Sequence, residues 1–167
     1  IKFMKHYTKA RDINKNNYSK IAAVIRDPVD RLLSGIYWFK QKGENGEMRY
    51  HTCHRFVKNK NLTEILSDFD EFDRKCLVEK NPAFIPTKEY ILKYEDEIIP
   101  ICFNKLEEDF KLKIQPYCDK ECILKPKNKS KRPKIEELTK EELELVQKYV
   151  NSRYKDDIEY YNQKCLN

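Results

Sequence analysis

The sequence predicts an α/β fold with a parallel sheet, on three observations. A short run, Ile21-Ala22-Ala23-Val24-Ile25, is apolar on both faces; a turn signal, Arg26-Asp27-Pro28, passes straight into a helical pattern; and a second strand-to-helix step begins at Ile98. A strand apolar on both faces suits the middle of a parallel sheet covered by helices.

Each element follows from local chemistry. Asp27 is a good helix N-cap and Pro28 fits the first helical position, and Leu32, Leu33, Ile36 and Tyr37 recur on one face behind them. Gln41 to Arg49 holds two of the three glycines and is expected to end this helix in a loop that extends past His51 and His54. A second helix is predicted from about Leu62 to Glu79, with Ile65, Leu66, Phe69, Phe72 and Cys76 on one side. Asn81 to Thr87, with two prolines, reads as a loop. Ile98 to Phe103 reads as a strand feeding a helix over Lys105 to Ile114. Pro116 to Pro133 has no periodicity and reads as a long loop, a feature that is often functional in a compact domain. Thr139-Lys140-Glu141-Glu142 is a capping box, and it opens a final helix expected to reach about Asp157.

The chain has 167 residues, enough for one domain, residues 1–167. Charged residues make up 37% of it, and 11 Tyr, 8 Phe and 1 Trp supply the bulk for a modest core. The uncharged apolar runs fall far short of the roughly 18 residues that a membrane-spanning helix needs. No signal peptide is legible, and an opening at Ile1 rather than Met is expected of a piece of a longer product.

The 34 Lys+Arg exceed the 28 Asp+Glu, and the excess lies in two stretches. Residues 1–20 hold six basic residues against Asp12, and Lys125 to Lys134 holds six with no acid. Such stretches are either solvated lysine runs or contacts for an anion. The six cysteines permit disulfides in an oxidising compartment, with Cys118 and Cys122 placed to staple a loop. His51, Cys53 and His54 match no common structural zinc spacing, so no metal is expected.

A strand that turns directly into a helix presents backbone N–H groups and the positive end of the helix dipole, which is a phosphate site by geometry. Arg26 stands at this turn, and Asp27, Arg31 and Ser34 fall on one stripe of the helix. A guanidinium fork and a hydroxyl can then share one phosphate.

The segment Val24-Ile25-Arg26-Asp27-Pro28-Val29-Asp30-Arg31-Leu32-Leu33-Ser34-Gly35-Ile36-Tyr37 closely resembles the V-x-R-D-P-x-x-R-L-x-S-x-Y segment of the sulfotransferase superfamily. It is most similar to the glycan O-sulfotransferases related to the heparan-sulfate 2-O and 6-O enzymes. Further likenesses follow in order. Asn81-Pro82-Ala83-Phe84-Ile85-Pro86 resembles the family's Asn-x-His-Phe/Trp-x-Pro loop, with Ala83 in place of the histidine. Phe103 to Phe110 resembles its Phe-Glu-x-Leu-x-x-Asp-Phe step, Asn128 to Arg132 its late basic loop, and Tyr154 to Tyr161 its terminal Tyr-x-x-Asp helix.

The resemblance implies a P-loop-like three-layer domain around a central parallel sheet, and a sulfotransferase that uses 3′-phosphoadenosine 5′-phosphosulfate (PAPS) as donor without a metal. It implies that Arg26 and Ser34 hold the 3′-phosphate and that Asn128, Lys129, Ser130, Lys131 and Arg132 close over the nucleotide. His6, 20 residues before Arg26, matches the position of a histidine that serves as catalytic base in the heparan-sulfate enzymes. The implied acceptor is a hydroxyl, most naturally on a glycan, and the implied compartment for a eukaryotic member is the Golgi lumen. Neither nucleic acid nor a membrane contact within this segment is expected. The family's first strand and its Pro-Lys-x-Gly/Ala-x-Thr/Ser turn, which wraps the 5′-phosphosulfate, do not occur in this sequence. The expected reason is that the sequence starts after them; a degenerate relative that binds nucleotide without turnover is the other reading. A basic nucleic-acid-binding module centred on Lys125 to Lys134 is a third, although no aromatic interleaves that run as a stacking platform would.

Overall fold

The apolar run Ile21–Ile25 forms strand β1, and it pairs in parallel with β2, Ile98–Cys102, so that Ile21 lies opposite Ile98 and Ile25 opposite Cys102. A computed structural model describes residues 20–44, 51–77, 83–91, 96–118 and 131–166. These form a mixed α/β structure, mostly helical, whose described sheet has the two strands. The described residues divide into two compact units, one of 20–27, 86–91, 96–118 and 156–166, the other of 28–44, 51–77, 83–85 and 131–155.

The first unit is built on the sheet. Period-two alternation sends Ile21, Ala23 and Ile25 to one face, where with Ile98 and Cys102 they pack against Ile91, Tyr160, Tyr161 and Cys165. On the opposite face Ile99 and Ile101 pack with Leu106, Phe110 and Ile114. The helices that cover the two faces are α6, Leu106–Lys113, entered through a 3₁₀ turn at Phe103–Lys105, and α8, Lys155–Tyr161, continued by a π-helical turn over Asn162–Leu166. Strand β1 departs from the expectation of burial on both faces, because Ala22 is exposed and Val24 is 55% exposed. Helix α5, Thr87–Ile91, starts within the segment read as loop. Its first N–H groups have a remote acceptor, since Thr87 N and Lys88 N donate to the buried Asp157 carboxylate at 2.7 and 3.0 Å.

The second unit is helical. Helix α1 runs Pro28–Glu44, α2 Thr52–Val57, α3 Leu62–Leu66, α4 Phe69–Cys76 and α7 Lys140–Arg153. All five differ from expectation in extent or in kind. Helix α1 continues past Gln41. The stretch around His51 and His54, read as loop, is α2, with the His51 ring accepting from Cys53 N at 3.2 Å. The single helix read over Leu62 to Glu79 breaks at Ser67-Asp68, because the Asp68 carboxylate accepts from Glu71 N at 2.9 Å and restarts the chain as α4. The Thr139 capping box forms as expected, but its helix ends at Arg153 and α8 starts afresh at Lys155. Phe39, Phe72, Phe84 and Tyr149 form an aromatic core, with Phe72 edge-on to both Phe84 and Tyr149 at 5.3 and 5.1 Å. The Tyr149 hydroxyl donates to Asp73 at 2.5 Å, and Arg153 donates to Asp73 and Asp70 at 2.6 and 2.7 Å. Burial, with Tyr154 and Asp73 beside it, holds the Tyr149 phenol well above its ordinary pKa.

Two disulfides join cysteines distant in sequence, Cys53 to Cys76 in the second unit and Cys102 to Cys165 in the first. The Cys118 sulfur lies 3.6 Å from the Ile114 carbonyl oxygen, and Cys122, the other end of the expected staple, lies outside the described residues.

Candidate functional site

The parallel register sets the carboxyl edge of the sheet. Ile25 and Cys102 are the last paired residues, so Arg26 and Phe103 leave the two strands side by side. The Arg26 guanidinium carbon lies 4.3 Å from the centroid of the Phe103 ring, which is 43% exposed. The turn that carries Phe103 is held from below. Cys102 N donates to Asp109 Oδ2 at 2.7 Å, and Lys113 Nζ reaches both Asp109 Oδ1 and the Pro100 carbonyl at 3.0 Å. Burial works to raise the Asp109 pKa, but the Cys102 amide and the Lys113 and Lys105 ammonium groups outweigh it and hold the carboxyl below its ordinary value.

In the second unit the same sequence motif opens α1. Asp30, in its first turn, takes an ion pair from Arg132, so the segment 131–134 is tied to the start of this helix across a separation of 102 residues. Arg31 lies over the Tyr154 ring, with its guanidinium carbon 4.8 Å from the centroid. The Tyr154 hydroxyl in turn donates to the Phe84 carbonyl at 2.7 Å. Phe84 packs so closely against α1 that a Cβ on Gly35 would lie 2.6 Å from its Cε1, which leaves room there for glycine alone without a shift of the ring. Ser34 is half-buried on α1 and Lys131 is exposed. Tyr37, at the end of the motif, has its phenol pKa raised by burial and then by Glu142.

The residues named from the sequence therefore have these places. Arg26 belongs to the first unit; Ser34, Lys131 and Arg132 belong to the second, with Arg132 brought against the first turn of α1. His6, Asn128, Lys129 and Ser130 lie outside the described residues. His54 is 1% exposed, with Nδ1 2.9 Å from the Phe39 carbonyl, so it serves the core of the second unit. Phe103, Asp109 and Tyr154 were not singled out from the sequence. Their one signal there is their place in segments that the expected resemblance covers, whereas their partners come from strand register and from helices distant in sequence.

Among the described residues no group of three or more His, Cys, Asp or Glu side chains is placed to hold a metal ion. Likewise no helix among them is long and apolar enough to cross a membrane. Each unit holds a guanidinium group lying on an aromatic ring, Arg26 on Phe103 in the first and Arg31 on Tyr154 in the second. Comparison of the chain with models of protein families, with curated proteins and with solved structures finds no match.

Proposed function

We propose that this chain is the 3′-phosphate-binding part of a PAPS-dependent sulfotransferase that modifies a hydroxyl, on a carbohydrate acceptor. The carrying observation is the segment Arg26-Asp27-Pro28 to Ser34 standing between the end of a parallel strand and the first turns of a helix, with the basic residue Arg132 on that same first turn. The residue types suit a dianionic phosphate, with a guanidinium on Arg26 in the first unit and, in the second, the Ser34 hydroxyl and the positive end of the α1 dipole. On this reading the two strands belong to the central layer of a P-loop-like three-layer domain. The two disulfides fit an oxidising lumen, the compartment that a eukaryotic glycan sulfotransferase would occupy.

PAPS supplies the activated sulfuryl group. Arg26 and Ser34 fix the 3′-phosphate, and Lys131 adds positive charge beside it while the Asp30–Arg132 pair holds the 131–134 segment to α1. His6 takes the proton of the acceptor hydroxyl as its oxygen bonds to sulfur and the sulfur–oxygen bond to the leaving nucleotide breaks. No metal is required for this displacement.

Thermal unfolding with added nucleotide tests the reading. Adenosine 3′,5′-bisphosphate is expected to raise Tm far more than AMP, and Arg26→Ala to remove about 1.5–3 kcal/mol of the binding, as for a hydrogen bond to a charged group. Equal shifts from both nucleotides would overturn it. Binding of duplex or single-stranded nucleic acid at physiological salt, unaffected by Ser34→Ala, would move the protein to a different class. Tight bisphosphate binding with no transfer to any of a panel of glycans would make the chain a nucleotide-binding relative without turnover.

A further inference from the structure

Taking Arg26 as the anion ligand of the reading above, we infer that Phe103 is a positioning residue for Arg26. The parallel register brings the two residues out of the sheet together, with Ile25 opposite Cys102, and the guanidinium lies 4.3 Å from the ring centroid, well inside cation–π range. An arginine at a strand end has many rotamers, and a ring beneath it removes most of them before any ligand arrives. The ring can do this because the end of the strand that carries it is held by three contacts. Cys102 N is bonded to Asp109, Cys102 Sγ is joined to Cys165, and Lys113 bridges Asp109 to the Pro100 carbonyl.

The test combines NMR of the Arg26 side chain with nucleotide titration in Phe103→Leu and Phe103→Trp, substitutions at an exposed position that leave the core intact. In the unsubstituted protein the Arg26 δ-methylene protons are expected upfield, in the ring current of Phe103. Phe103→Leu is expected to abolish that shift and to weaken adenosine 3′,5′-bisphosphate by about two- to fivefold, the exposed-site value of a cation–π contact. Phe103→Trp is expected to restore both. Arg26 resonances that do not respond to Phe103→Leu, or affinity that Leu preserves, would overturn the positioning role. Failure of the unsubstituted protein to bind the nucleotide while the Arg26 shift is present and lost in Phe103→Leu would instead overturn the cofactor reading and leave the positioning of Arg26 standing.

Discussion

Arg132 donates through its guanidinium to the carboxylate of Asp30, and this pair ties the 131–134 segment to the first turn of α1. Both side chains are about four-fifths covered, at 19% and 18% exposure, so solvent screens the pair less than it screens a surface contact. A double-mutant cycle with Asp30→Asn and Arg132→Gln is expected to give a coupling near 1 kcal/mol by urea denaturation. A coupling under about 0.2 kcal/mol would mean that the pair does not anchor the segment.

Gly35→Ala places a methyl group 2.6 Å from Cε1 of Phe84, whose ring is buried against Phe39 and Phe72 and has nowhere to go. Overpacking of this kind costs about 1–3 kcal/mol, and the better helix propensity of alanine offsets up to about 1 kcal/mol of it. Net destabilisation is expected, and Phe84→Leu in the Gly35→Ala background should recover part of it. A Gly35→Ala protein more stable than the parent would contradict the contact.

The Tyr154 hydroxyl bonds the Phe84 carbonyl, while its ring lies beneath Arg31 and edge-on to Tyr149, so hydroxyl and ring are separable. Tyr154→Phe keeps the ring and leaves a buried carbonyl without this donor, at an expected cost of about 1–3 kcal/mol. Tyr154→Leu should cost more, since it also removes the aromatic face. Equal unfolding free energies for the two variants would show that the ring contributes nothing through Arg31 or Tyr149.

Asp109 gives the acid limb of stability a definite sign. Its carboxyl is held below the ordinary value in the folded state, so its contribution is complete above the unfolded pKa of about 3.9 and is lost as pH falls through the lower folded value. Tm measured from pH 5 downward should therefore fall less steeply in Asp109→Asn than in the parent. Parallel acid limbs would remove Asp109 as a determinant.

The disulfides close loops of different length, with separations of 23 residues for Cys53–Cys76 and 63 for Cys102–Cys165. The chain-entropy relation gives about 3 and about 4 kcal/mol respectively. Replacing both cysteines of the longer bridge by serine is expected to lower stability more than replacing both of the shorter one. It should also disturb the Arg26 resonances, because Cys102 immediately precedes Phe103.

Local chemistry sufficed for much of the frame. Strand β1 is legible in five consecutive apolar residues, the start of α1 in Asp27-Pro28, and the start of α7 in the Thr139 box, because each signal acts within one turn of chain. The same holds for Arg31 and Ser34, whose common stripe on α1 is a property of the helical backbone alone. Tertiary structure decided everything that depends on a remote partner. Which residue covers Arg26 follows from strand register, and the fate of Asp30 from an arginine 102 positions away. The helix boundary at Ser67-Asp68 turned on one carboxylate finding one amide, and His54, which a polar loop would have left in water, lies in the core because α2 forms around it. The pairing of the cysteines is equally invisible to spacing, since six thiols allow 15 connectivities and only the folded chain brings Cys102 to Cys165 and Cys53 to Cys76.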